Sequence, residues 1–255
     1  MVINESFSEG VTFIHRLDPR VRLFSAFAFS IIISVTGNFQ VLILALITAF
    51  ILLMCARLPF KGVFLRLLAV NLFIFLFWLF LPFSVTGDVV FSMGPLDLTK
   101  QGVLYCTLLT LKSNAIILIL MSLAATMPVF TMGRAMSYLK VPSKLVQLFI
   151  FTYRYIHSIY REFLRLKDAL DIRGFIPKTN MHTYRTYAYL IGMLIVKSHD
   201  RAERVHAAML CRGFDGIFFD LSEFSIKKND IIFLILFSLY LLIIILLQWQ
   251  RLIFT

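Results

Sequence analysis

The chain has 255 residues, 60% of them hydrophobic and only 15% charged, with 27 phenylalanines and a formal net charge of +11. That balance excludes an ordinary soluble domain and points to an integral membrane protein. The positive charge does not indicate nucleic acid, because it lies beside and between apolar runs, where it reads as contact with one membrane face.

Charge-free stretches run from Leu23 to Ala56, Leu67 to Gly87, Ser113 to Gly133 and Ile231 to Gln250. A helix needs about 20 residues to cross the hydrocarbon core. Leu23 to Ala56 is too long for one span, and Gly37-Asn38 marks a turn near its middle. Five transmembrane helices follow, at roughly 19–36, 39–56, 66–83, 103–128 and 231–249. Asp18 is placed to cap the first and Pro19 fits its first turn. Arg20 and Arg22 are expected to snorkel to the headgroups. No small-residue cleavage site follows an N-terminal apolar core, so no cleavable signal peptide is expected.

Arg16, Arg20, Arg22, Arg57, Lys61 and Arg66 flank the first three spans on one side, whereas the stretch from Ser84 to Gln101 sets Lys100 against Asp88 and Asp97. The positive-inside rule then puts the N-terminus, the 57–66 loop and the 129–230 segment in the cytoplasm, and the C-terminus outside. Lys112 is the charge nearest a span interior, and the length of its run lets it snorkel toward the outer interface. Asn71 and Asn114 are candidates for bonds between spans.

Between Arg134 and Arg212 stand 14 Lys/Arg and 5 Asp/Glu. Pro142 and Ser143 open a helix expected to reach Ile172, on the order of 45 Å long. Ile156, Ile159, Phe163, Leu166 and Leu170 make its apolar stripe, and Arg154, His157, Arg161, Arg165 and Asp168 a polar one. Ile176-Pro177-Lys178 breaks the chain. A second helix is expected from about Thr183 to Cys211, with Ile191, Ile195, Val205 and Met209 on its apolar face. Ser198 and Ala202 between them let two helices approach closely where they cross. The chain so divides into a four-span region (1–133), a cytoplasmic segment of two long amphipathic helices (134–230) and a last span (231–255).

Both helices end on one phrase. Ala169-Leu170-Asp171-Ile172-Arg173-Gly174-Phe175 is echoed by Ala208-Met209-Leu210-Cys211-Arg212-Gly213-Phe214. Glycine just past a helix stops it by taking the left-handed conformation, and arginine in the last turn suits the negative end of the helix dipole. Each phrase therefore reads as a helix tip offering a fixed guanidinium.

The chain lacks a phosphate loop, a dinucleotide fingerprint, a nucleophile elbow and a His-Glu-x-x-His motif. Cys55, Cys106 and Cys211 have neither disulfide nor metal spacing. His199, Glu203 and His206 share one helix face. That face reads as solvated charge pairs with Lys197, Asp200, Arg201 and Arg204, with a metal site as the minor reading. No chain of acidic residues crosses the membrane, which argues against a stand-alone secondary carrier. That carrier, and a membrane-bound enzyme using the 199/203/206 face, are the alternatives.

Together these residues resemble the T component of energy-coupling factor (ECF) transporters, most closely the cobalt/nickel type, CbiQ. The likeness begins at His15-Arg16-Leu17-Asp18-Pro19-Arg20-Val21-Arg22-Leu23 and continues through Tyr153-Arg154-Tyr155-Ile156. It extends over Gly192 to Ser198, Arg201-Ala202-Glu203-Arg204-Val205 and Ala208 to Gly216. The residue before each tip arginine is Ile172 or Cys211 where the family has alanine, which leaves the Arg-Gly geometry intact.

The resemblance implies an all-α membrane protein with two coupling helices, and a non-catalytic role. Arg173-Gly174 and Arg212-Gly213 would contact two cytoplasmic ATPase subunits, which hold ATP and magnesium. His15, Asp18, Pro19, Arg20, Arg154, Arg201, Glu203 and Arg204 would be motif residues. A membrane substrate-binding S subunit, with a small accessory membrane subunit, would bind cobalt or nickel, so no cofactor or metal is expected on this chain. A vitamin importer of the same kind is the alternative cargo. The setting implied is the cytoplasmic membrane of a prokaryote.

Overall fold

The computed structural model describes residues 10, 12–85, 88–93, 96–215 and 227–254. In order these form α1 (Phe13–Arg16), α2 (Pro19–Val35), α3 (Phe39–Ala56), α4 (Phe60–Ser84), β1 (Val89–Met93), β2 (Leu96–Thr99) and α5 (Lys100–Ile119). A π-helical turn, Leu120–Ala124, extends α5. Then come α6 (Val129–Tyr138), α7 (Ser143–Ile172), α8 (Met181–Leu210) and α9 (Lys228–Phe254). The protein is an α-helical, multi-pass membrane protein.

Local chemistry explains the boundaries. The Asp18 carboxylate accepts the Arg20 amide at 2.9 Å, and Pro19 takes the first position of α2, where an amide hydrogen is not needed. Asn38 caps α3 by accepting the Gln40 amide. Thr99 caps α5 by accepting the Gly102 amide. The expected turn at Gly37-Asn38 is present. One element went unforeseen: β1 and β2 pair as an antiparallel hairpin between α4 and α5.

Among the described residues four helices are long and apolar enough to cross a membrane: Phe39–Ala56, Phe60–Ser84, Lys100–Ala124 and Lys228–Trp249. The helix expected over 19–36 forms, but it has 17 residues and carries Arg20 and Arg22.

Contacts divide the chain into two units, one holding the described residues up to 140 and from 227 onward, the other holding 141–215. In the first, α2, α3, α5 and α9 share a core containing Phe29, Ile33, Leu42, Ile119, Leu123 and Ile244. Ala26, Ala45, Ala49 and Ala115 are almost wholly buried there, and such small side chains let helix axes approach closely. Phe64, Leu72, Phe75 and Leu79 of α4 point outward, as expected of a surface solvated by lipid.

Apolar surface gains little from leaving lipid for protein, so polar ties between helices count, each contributing about 0.6 kcal/mol on average. Asn71 and Asn114 exchange amide hydrogen bonds at 2.9 and 3.0 Å between α4 and α5, as their positions in the sequence suggested. Thr48 and Tyr240 join α3 to α9 at 2.7 Å. Lys112 donates to the Ser34 carbonyl at the end of α2 at 2.9 Å, which gives this charge a fixed place.

The second unit is the pair α7 and α8. Their bounds match the sequence expectation within two residues at every end. Only Val146, Thr183 and Leu190 of these 60 residues are buried, so α7 and α8 have little core of their own.

Candidate functional site

The two Arg-Gly-Phe phrases fold into the same structure. After α7, Gly174 takes φ +74°, its amide donates to the Asp171 carbonyl at 3.0 Å, and the Phe175 amide donates to Leu170 at 3.1 Å. After α8, Gly213 takes φ +77°, its amide donates to Leu210 at 3.0 Å, and the Phe214 amide donates to Met209 at 3.1 Å. This is the Schellman stop, in which the left-handed residue returns two amides to the last carbonyls of the helix. A Cβ added to either glycine would meet nothing within 4 Å, so the backbone angle, not space, selects glycine.

Arg173 and Arg212 each stand immediately before the left-handed glycine. Both are exposed, and neither side chain has a hydrogen bond or ion pair among the described residues. Their guanidinium groups, always charged and forked for bidentate bonding, remain available to a carboxylate or to backbone carbonyls.

The phenylalanine after each glycine lies beside the helix pair. Phe175 packs on His182 and edge-on to Tyr187 of α8, with ring centroids 6.2 and 6.0 Å away. Phe214 lines a groove of about 470 Å³ with Phe151 and Tyr155 of α7 and Val205 and Met209 of α8. Phe175 is thereby braced by the helix that does not carry it, and Phe214 sits at a groove that both helices line.

Where α7 meets α8, one carboxylate gathers three cations. Glu162 lies 2.5 Å from Lys197, 3.5 Å from Arg165 and 4.0 Å from Arg201, and its side chain is 14% exposed. Arg201 also donates to the Ser158 hydroxyl. The Lys197 hydrogen bond, joined by the charges of Lys197, Arg165 and Arg201, holds the Glu162 carboxyl below its usual range against the opposing effect of burial. Glu162 was absent from the residues singled out in the sequence. Its one available signal was that it is the sole acid between Arg154 and Arg165.

The other motif residues separate. Arg201 belongs to this junction. His199 and Glu203 form an exposed i,i+4 pair at 3.4 Å, and Arg204 is exposed. No group of three His, Cys, Asp or Glu able to hold a metal occurs among the described residues. Arg154 is exposed, its guanidinium 5.9 Å from the Tyr155 ring.

The N-terminal motif lies in the first unit. His15 bonds Thr12 at 2.6 Å. The Asp18 amide donates to the Asp230 carboxylate at 2.9 Å, and Asp230 also accepts the Lys227 amide at 2.8 Å, so the entry to α2 is tied to the entry to α9. Arg20 and Arg22 depart from the expected snorkelling. The Arg20 guanidinium lies 3.4 Å from the centre of the Tyr138 ring. Arg22 is 2% exposed and donates to the Leu123 carbonyl and the Thr126 hydroxyl. Both arginines thus have partners within the fold, and Arg22 is enclosed by it.

The family of the cobalt transport protein CbiQ matches residues 10–223. The energy-coupling factor transporter transmembrane protein EcfT of Macrococcus caseolyticus is 26% identical over 231 residues, 86% of each chain. EcfT of Bacillus subtilis is 26% identical, with 85% of each chain covered. The cobalt transport protein CbiQ of Rhodobacter capsulatus is 27% identical over 174 residues, 62% of this chain and 71% of its own. A family match over most of the chain, with the duplicated helix stop and the membrane helices it accompanies, establishes that the chain belongs to the CbiQ family, as a transmembrane T component of the energy-coupling factor type.

Proposed function

We propose that this chain is the non-catalytic coupling subunit of an ATP-driven importer for cobalt or nickel. Arg173 and Arg212 enter two ATPase subunits on the cytoplasmic side, and the membrane helices hold a substrate-binding S subunit, assisted by a small accessory membrane subunit. ATP and magnesium sit on the ATPases, and this chain binds no cofactor. The observation that carries the reading is the pair of identical helix stops, each presenting an exposed, unengaged arginine. The charge pattern supports a cytoplasmic location for α7 and α8, and α2 serves as a fifth, short span in a prokaryotic cytoplasmic membrane.

Mechanically, ATPase closure displaces the two tips. Helices of 30 residues, α7 and α8, carry that displacement to the Glu162 junction, eleven residues from Arg173, with Lys197 fifteen residues from Arg212. These separations correspond to roughly 16 and 22 Å along the helices.

A vitamin is the second reading of the cargo. The EcfT-named relative, whose name states no cargo, covers more of this chain (86%) than the one named for cobalt (62%), so coverage does not select cobalt. Uptake by the co-expressed complex, measured across divalent metals and vitamins with and without ATP, tests the proposal. ATP-dependent cobalt or nickel uptake supports it. ATP-independent transport by this chain alone contradicts it.

A further inference from the structure

The membrane unit contains a break in its regular helical ladder. In the π-helical turn Leu120–Ala124 the Ala125 amide reaches back five residues to the Leu120 carbonyl. The chain then turns through Ala125, Thr126 and Met127 to Pro128, which has no amide hydrogen, before α6 begins. Such interruptions release carbonyls from the helical ladder and mark places where a helix bends. α6 is also the last element before α7, which starts after the left-handed residue Lys140 (φ +63°).

Two arginines from one turn of α2 hold both ends of this elbow. Arg22 supplies hydrogen bonds to the Leu123 carbonyl and the Thr126 hydroxyl, and Thr126 in turn donates to the Ser122 carbonyl at 2.8 Å. All four residues are at least 98% buried. Arg22 is thus a buried charge held by neutral oxygens, an arrangement that stability alone does not favour, since a hydrophobic residue in its place would avoid the desolvation cost. At the far end of α6, Arg20 stacks on Tyr138, two residues before the chain turns at Lys140.

We infer that Arg20 and Arg22 are positioning residues that clamp the Thr126–Tyr138 elbow to α2, so that force arriving through α7 is borne by the membrane helices instead of being lost in bending at the π-turn. This rests on the proposed coupling role. It gives Arg20 a task other than membrane contact and adds Arg22 and Tyr138 to the coupling machinery. Stiffness at the elbow matters because transmitted displacement requires that intervening elements hold their geometry.

The test uses the purified complex of this chain with its ATPases and S subunit. Tyr138→Leu removes the ring at a site that is 45% exposed and therefore tolerant of change, and Arg22→Gln removes the buried charge while keeping donors. Spin labels at Phe27→Cys on α2 and Ser137→Cys on α6, with Cys55 and Cys211 replaced, report the distance across the elbow. Cys106, wholly buried, stays unlabelled.

We expect both variants to broaden this distance distribution. Uptake per ATP hydrolysed should fall by about fivefold for Tyr138→Leu, the scale of one lost cation–π contact, with ATPases still bound. Tyr138→Phe should restore both. Unchanged distances and unchanged uptake per ATP in Tyr138→Leu would overturn the clamp, even if Arg22→Gln failed to fold. Failure of the coupling role itself would be seen separately, as intact ATPase binding after loss of Arg173 and Arg212, while the spin-label distances would still report on the clamp.

Discussion

Glu162 of α7 and Lys197 of α8 meet at 2.5 Å, at a junction that also draws in Arg165 and Arg201. Two helices with few buried residues are here pinned by charge, and both arginine tips lie beyond the pin. The resulting geometry is a pair of levers sharing one fixed point.

Replacing Glu162 by Gln should loosen that point, leaving Lys197 and Arg201 facing each other without a carboxylate. Label-to-label distances between α7 and α8 should broaden, and exchange of the pair (Glu162→Lys with Lys197→Glu) should narrow them again. Acid should mimic the substitution. The folded carboxyl titrates below its ordinary value of 4.5, so the pair is intact at neutral pH and its contribution fades only as pH falls through the depressed value. Distances that stay constant in Glu162→Gln would show that packing alone sets the crossing.

Gly174→Ala and Gly213→Ala should each cost about 1 kcal/mol at the helix stop, because alanine resists the left-handed region. The predicted consequence is a frayed last turn, visible as faster amide exchange at Phe175 or Phe214. Asn at either site should be tolerated better, since its side chain is at home in that conformation.

The Asn71–Asn114 pair gives a stability prediction. Asn71→Leu alone leaves Asn114 with one interhelical partner fewer and should destabilise the detergent-solubilised protein by about 0.6 kcal/mol, with ~1.7 kcal/mol as an upper value. The double replacement should recover part of that loss, because removing both partners leaves no amide unsatisfied. A double-mutant cycle on thermal unfolding measures the coupling, and additive effects would contradict the reciprocal pair.

Much of the architecture was legible because its signals are local. Asp18-Pro19 announces the start of α2, Pro142-Ser143 that of α7, and the glycines after Arg173 and Arg212 act through a single backbone angle. The expected charge-free runs correspond to four long apolar helices. What was not legible depends on contacts distant in sequence. Arg22 looks like a snorkelling residue until Leu123 and Thr126, about a hundred positions away, are brought beside it. Glu162 looks like one more surface charge until α8 crosses α7 at Lys197. The π-turn escaped because an extra residue in a helical ladder leaves no mark on composition. The expected span 103–128 accordingly ran on through Leu120–Ala124 without distinguishing it. The hairpin of β1 and β2 escaped because strands of five and four residues are too short for alternation to stand out.

The central claim is that two exposed arginines are where energy enters this subunit. The most direct measurement is recovery of the ATPase subunits, and of substrate uptake, with a tagged chain carrying both Arg173→Ala and Arg212→Ala. The account predicts that the variant still inserts in the membrane but loses most bound ATPase and at least about 90% of uptake, matching the loss of two charge-assisted contacts of about 1.5–3 kcal/mol each. Normal ATPase recovery together with normal uptake would contradict it.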